Sequence, residues 1–250
     1  MTDKGLVVVT GASSGFGAAT ALQFARLGYP LWLGARRQDR LREVAQRCLE
    51  AGAPRADVRP LDVRSKESID AFCAAAGTPA VLLNNAGGAL GRDPLEKVQE
   101  EHLLGMVETN FVGLVRVTRG FLPQMIAARK GHVINLGSYA ARGVYEGGAV
   151  YAATKHAVRV ISETLRLELS GTNIRVTEID PGLAETEFSV VRLGDEEKAK
   201  AVYRGFQPLT ADDVADVIVW AATRPAHVNI SEIVLTPTAQ ASLTKVHREP

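Results

Sequence analysis

The run Leu6-Val7-Val8-Val9-Thr10-Gly11-Ala12-Ser13-Ser14-Gly15-Phe16-Gly17 decides the fold. Its apolar start reads as a strand covered on both faces, its glycines as a sharp turn, and Ala18, Leu22, Ala25 and Arg26 beyond them as helical spacing. Glycine lets the backbone turn tightly and approach a pyrophosphate. The free N–H groups and the dipole at the start of the following helix then hold the negative charge. A tight turn that holds nothing is the plain alternative. A dinucleotide site is favoured because the pattern opens a continuing alternation of strand and helix.

Working outward, further strand-like runs fall at Leu31–Leu33, Ala56–Leu61, Ala80–Leu83, His132–Leu136, Ile174–Ile179 and Ile233–Leu235, with helical periodicity between them, as in Ala153, Ala157, Val160, Ile161 and Leu165. Only Ala56–Leu61 alternates; the others are mostly continuous apolar runs. This is the pattern of an α/β chain: a doubly wound, parallel seven-stranded sheet flanked by helices on both faces, in a single domain spanning 1–250. The least regular stretch, 181–208, holds the charged run Asp195-Glu196-Glu197-Lys198. It reads either as a lid with helices of its own or as a plain surface insertion.

Composition limits the partners. The chain has 250 residues, 46% hydrophobic, with 23 Gly and 11 Pro scattered without period, which excludes disorder and low complexity. At this length one core should bury roughly 70–75% of the unfolded surface. Lys plus Arg number 29 against 28 Asp plus Glu, a net charge of +1. No overall field draws nucleic acid or an anionic membrane, so the expected partner is a small molecule. Cys48 and Cys73 form no CxxC or His/Cys cluster, and no metal site is expected. No stretch approaches a membrane span or a signal peptide, so the expected location is cytoplasmic.

The glycine spacing is G-x3-G-x-G, and with Thr10, Gly11, Gly15 and Gly17 it resembles the first loop of the short-chain dehydrogenase/reductase family. The resemblance runs along nearly the whole chain and implies a Rossmann fold. Asp62-Val63 is similar to the family's adenine contact, Asn84-Asn85-Ala86-Gly87 to its N-N-A-G motif, and Pro181-Gly182-Leu183-Ala184-Glu185-Thr186 to its P-G-x3-T motif at the nicotinamide. The cofactor-binding set it implies includes Gly11, Ser13, Ser14, Gly15, Phe16, Gly17, Asp62, Val63, Asn85, Ala86, Gly87, Pro181, Gly182, Leu183 and Thr186.

The end of the second strand selects the cofactor. An acid there would favour the ribose hydroxyls of NAD; here Gly34-Ala35-Arg36-Arg37 offers Ala35 and two guanidiniums instead. Arg36 and Arg37 can clamp a 2′-phosphate, which points to NADP, or they begin a basic solvated face continued by Arg40 and Arg42.

Tyr151 and Lys155 stand four apart on one helix face. A cation beside a phenol favours the phenolate, which can take the proton of an alcohol or return it to a carbonyl oxygen. The resemblance makes Tyr151 the base and Lys155 its helper, both also touching cofactor. Ser138, 13 residues earlier, becomes the hydroxyl on the substrate oxygen, and Asn110, within the helical stretch 98–121, the holder of a proton-relay water. A polar residue on an exposed helix face is the plain alternative for Asn110. His156, beside the pair, reads as structural.

The last strand lacks the common V-D-G-G ending. With Thr186-Glu187-Phe188-Ser189 and Pro225-Ala226-His227-Val228-Asn229-Ile230, the chain resembles the NADP-dependent serine and 3-hydroxy acid dehydrogenases within the family. The substrate this implies is a 3-hydroxy acid or its semialdehyde, of the serine, allo-threonine or 3-hydroxypropionate type. Such a substrate needs a cation, supplied by Arg192 or by Arg142, the latter reading more readily as a surface arginine. Reduction of bulkier ketones or aldehydes, and NADP sensing without chemistry, are the alternatives. The resemblance also implies a homotetramer, with the helices carrying Asn110 and Tyr151 at an interface.

Overall fold

The computed structural model describes residues 4–249. Seven strands, β1 (Leu6–Thr10), β2 (Leu31–Ala35), β3 (Ala56–Pro60), β4 (Pro79–Asn84), β5 (Gly131–Leu136), β6 (Ile174–Pro181) and β7 (Glu232–Leu235), form one sheet in the order β3-β2-β1-β4-β5-β6-β7. Every pairing is parallel, with Val9 level with Leu33 on one side and Leu83 on the other. All seven expected strands are present within two residues of their expected bounds. The helices are α1 (Gly15–Arg26), α2 (Gln38–Glu50), α3 (Lys66–Ala75), α4 (Glu100–Val107), α5 (Leu114–Ala128), α6 (Ala149–Glu168), α7 (Glu187–Leu193), α8 (Glu196–Val202) and α9 (Ala211–Ala222).

Both faces of the sheet are covered, which is why most strands are apolar throughout. Val7 and Val9 pack with Phe24, Leu41, Val214 and Ile218 beneath α1, α2 and α9. Val8, pointing the other way, joins Phe72, Phe121, Met125 and Leu165 beneath α3, α5 and α6. The alternating strand, β3, is the sheet's edge, and its outer end is exposed. Strand order reverses between β1 and β4, and there the carboxyl ends of the strands open a crevice, the usual ligand position in such sheets.

The stretch 98–121 departs from expectation. It is two helices, α4 and α5, joined by a π-helical turn, Glu108–Gly113. Gly113 explains the tight approach: a Cβ there would lie 2.7 Å from the Val63 carbonyl oxygen. Asn110 sits in this wide turn, 2% exposed, so the exposed-face alternative is excluded. No helix among the described residues is long and apolar enough to cross a membrane.

Candidate active site

At the crevice, Gly11 and Gly15 take φ of +66° and +52°, a region that favours glycine. Gly17 needs its small size for another reason: a Cβ would lie 2.5 Å from Asn85 Nδ2 and 2.6 Å from the Gly11 carbonyl oxygen. The ends of β1 and β4 are stitched together here. Thr10 Oγ1 accepts the N–H groups of Asn85 and Ala86, each at 3.0 Å, and Asn85 Nδ2 donates to the carbonyls of Thr10 (2.9 Å) and Gly11 (3.1 Å). The start of α1 has no side-chain cap on Ser14, so no capping side chain takes its first-turn N–H groups. These groups fit a pyrophosphate.

A cavity of ≈ 620 Å³ extends from this loop along the carboxyl ends of the strands. Among the cofactor residues expected from sequence, all but Gly17 line it, including Ser13, Ser14, Phe16, Asp62, Val63, Ala86, Gly87, Pro181, Gly182, Leu183 and Thr186. Arg36 and Arg37 line its β2 end. Arg37 donates to Ser13 and Ser14 and pairs with Glu187 at 2.8 Å, and Arg40 pairs with the same carboxylate. Asp62 stays below the usual carboxylate range: burial opposes its charge, but the Arg64 N–H at 3.0 Å, the Arg64 guanidinium and Arg36 outweigh it.

Ser138, Tyr151 and Lys155 line the same cavity farther along. Burial pushes the Tyr151 phenol up to about 12, with Ser138 and Arg192 pulling the other way, and burial lowers the Lys155 ammonium to about 8. Lys155 donates to the Leu136 carbonyl at 2.7 Å, with its nitrogen 5.9 Å from the Tyr151 ring centre. Desolvation dominates at the phenol, and the Lys155 ammonium is not among the groups that bear most on it. Asn110 lies behind the cavity wall: it accepts the Gly88 N–H and donates to the Gly88 carbonyl, both at 2.8 Å, and to Thr154 at 3.1 Å. A Cβ on Gly87 would lie 3.0 Å from Asn110 Oδ1 and 3.7 Å from Lys155 Nζ, so both side chains converge on one loop.

The irregular stretch carries α7 and α8 and lines the cavity through Phe188, Val191, Arg192 and Tyr203. Arg192 lies against the rings of Tyr145 and Tyr151, 5.5 and 5.6 Å from their centres, with Nε donating to the Gly91 carbonyl at 3.0 Å. Arg142 is not a surface arginine: it is part-buried between Asp180 and Glu232, 2.7 and 2.8 Å away. With Nε and Nη2 turned to these carboxylates its charge is compensated, and it is not a free cation for substrate. His156 bonds to its own helix at the Ala152 carbonyl, as a structural residue would.

Tyr145, Gln240 and Leu243 also line the cavity and were not expected from sequence. Gln240 comes from the chain's far end and accepts the Leu183 N–H at 2.8 Å. No local pattern marks a residue brought in over such a distance.

The comparisons agree with this geometry. The family model described as short chain dehydrogenase matches residues 5–197. The chain is 42% identical to the NADP-dependent 3-hydroxy acid dehydrogenase YdfG of Shigella flexneri, over 98% of this chain and 100% of the relative. It is also 42% identical to sulfoacetaldehyde reductase 2 of Chromohalobacter salexigens, over 94% and 95%. The solved closed form of serine dehydrogenase complexed with NADP+ superposes with a TM-score of 0.91 at 41% identity, covering 98% of this chain and 100% of that one. The chain therefore belongs to the short-chain dehydrogenase family.

Proposed function

We propose that this chain is an NADP-dependent oxidoreductase acting on the CH–OH group of a small 3-hydroxy acid, or on the matching semialdehyde. The observation that carries the reading is that one cavity joins the glycine loop, the Ser138–Tyr151–Lys155 group and the Arg192 guanidinium.

Gly11 to Gly17 and the start of α1 would hold the pyrophosphate, Arg36 and Arg37 the 2′-phosphate, Asp62 and Val63 the adenine, and Pro181 to Thr186 the nicotinamide end. The cofactor, when bound, supplies or takes up the hydride. Ser138 donates to the substrate oxygen and stabilises the charge developing there. Tyr151 transfers the proton. Its raised pKa leaves it a phenol at neutral pH, the form that protonates a carbonyl oxygen directly. Lys155, with an ammonium pKa of about 8, can give up a proton near neutrality, and Asn110 holds the loop toward which it points. Arg192, in the 181–208 lid, meets the substrate's carboxylate.

The relative named a sulfoacetaldehyde reductase favours a second reading in which the same cation meets a sulfonate. Reduction of a bulkier neutral ketone is the third. The exposed apolar residues Leu104 on α4 and Val160 and Leu167 on α6 support a homotetramer packed through these helices, and the enzyme is read as cytoplasmic.

A substrate panel tests the reading. L-serine, L-allo-threonine and 3-hydroxypropionate with NADP, sulfoacetaldehyde with NADPH and a neutral ketone with NADPH are followed by the absorbance of the reduced nicotinamide. Oxidation of the hydroxy acids is expected; failure of all three with turnover of the ketone overturns it. Tyr151→Phe should bind NADPH normally and lose nearly all turnover.

A further inference from the structure

Behind Ser138 lies a buried charge cluster that the chemistry above does not use. Asp180, near the end of β6, is fully enclosed; Oδ1 accepts the Ser138 N–H at 2.9 Å and Oδ2 accepts Arg142 Nε at 2.7 Å. Arg142 also meets Glu232 on β7 at 2.8 Å, and Arg166 on α6 reaches the other Glu232 oxygen at 3.5 Å. Glu178, two positions before Asp180 and so on the same face of β6, is equally enclosed. Gly137 makes the room, since a Cβ there would collide with both carboxyls.

Neither Glu178 oxygen receives a hydrogen bond from a donor among the described residues. A charged carboxylate without a donor is strongly disfavoured in such a place. Burial and the neighbouring Asp180 push Glu178 up to about 8. Burial raises both carboxyls and Asp180 raises Glu178 further, so the pair favours one negative charge over two; Lys155, which donates to the Leu136 carbonyl, is held one residue from the Gly137 that packs on both acids. That charge opposes the fall in the Lys155 ammonium's pKa caused by burial, and it adds to the rise of the Tyr151 phenol.

We propose that the Glu178–Asp180 pair, anchored by Arg142, is a positioning device for the reaction: Asp180 fixes the turn that carries Ser138, and the pair supplies the counter-charge to Lys155. The inference rests on the roles proposed above for Ser138, Tyr151 and Lys155. The groups bearing on the pair are Arg142 after β5, Glu232 on β7, and Lys155 and Tyr151 on α6, while Arg166 on α6 acts on Glu232. Arg159 acts on Glu232, while Tyr145 and Arg192 act on Tyr151.

The test compares Asp180→Asn, the double variant Glu178→Gln with Asp180→Asn, Arg142→Met and Arg142→Lys with the unaltered enzyme, measuring kcat, KM for NADP, and kcat/KM for alcohol oxidation against pH. Asp180→Asn is expected to lose about tenfold or more in kcat and keep its KM for NADP, and the double variant, in which Glu178 cannot take over the charge, is expected to shift the ascending limb about half a unit or more toward lower pH. A merely structural residue would lower kcat without moving that limb, and an unmoved limb overturns the proposal. Should Asp180→Asn fail to fold, the arginine variants decide. A kcat loss in Arg142→Met that Arg142→Lys largely restores supports the anchor; no loss in the first, or no recovery in the second, overturns it. Tyr151→Phe is run alongside. An active Tyr151→Phe enzyme sinks the underlying reading, whereas an inactive one with an unmoved profile in the double variant sinks this inference alone.

Discussion

Glu187 Oε2 lies 2.8 Å from Arg37 Nη1, joining the first turn of α7 to the second residue after β2. The guanidinium read from sequence as either a phosphate clamp or the start of a solvated face is thus fixed on the loop serines and the covering helix. The loop serines suit the clamp, whereas a 2′-phosphate competes with the Glu187 carboxylate for Arg37 and Arg40. Replacing Arg36 and Arg37 together by alanine should weaken NADPH by about tenfold or more, ~1.4 kcal/mol, while NADH stays within about threefold. Fluorescence titration of both cofactors reads this, and equal affinity of the unaltered enzyme for NADH and NADPH would remove the clamp.

Arg192 lines the cavity, its guanidinium against the rings of Tyr145 and Tyr151, with Nε on the Gly91 carbonyl and Nη2 3.4 Å from the Gly147 carbonyl. Methionine preserves the apolar stem but not the charge. Arg192→Met should therefore raise KM for a 3-hydroxy acid about tenfold or more and leave KM for a neutral carbonyl substrate nearly unchanged. An equal rise for charged and neutral substrates means that the side chain only shapes the lid.

The parts legible in the sequence are those written in local pattern. Val7, Val8 and Val9 announced a doubly covered strand because both faces of β1 meet helices, and Gly11 to Gly17 announced the turn because only glycine tolerates its φ and close contacts. Tyr151 and Lys155 were legible through helical spacing and resemblance. What local pattern could not show was pairing across distance. Arg142 looked like a surface residue because its partners, Asp180 and Glu232, lie on strands far along the chain. Gln240 and Tyr145 reach the cavity only through tertiary packing. Glu178 did leave a trace, an acid within the run Ile174–Ile179 read as mostly apolar, which only its enclosure beside Asp180 makes meaningful.

Asn110 carries three hydrogen bonds from a buried π-helical turn, two of them to the backbone of Gly88. Alanine leaves that N–H and carbonyl without partners beside the loop facing Lys155. Asn110→Ala should cost about 2 kcal/mol of stability and lower kcat about tenfold or more. Denaturant unfolding and steady-state rates check the two effects separately; unchanged kcat in a folded variant removes Asn110 from the relay.

His132 makes the stability of the sheet depend on pH. Thr177 Oγ1 donates to the Ile230 carbonyl at 2.6 Å, so its contact with His132 Nε2 at 2.7 Å requires the imidazole N–H to be the donor. Nδ1 is then unprotonated, enclosed and without a partner among the described residues. Burial lowers the folded-state pKa to about 3, with Arg175 adding to the fall. The unfolded chain takes up the proton near pH ~6.5 and the folded chain does not, so this stability is present above the unfolded pKa and lost as pH falls toward 3. Between about pH 6.5 and about pH 5 the loss should reach ~2 kcal/mol. His132→Gln, whose amide can keep the bond to Thr177 without titrating, should lose correspondingly less over the same interval. Urea unfolding at fixed protein concentration measures both, and identical pH slopes in the two proteins would show that His132 titrates normally in the folded chain.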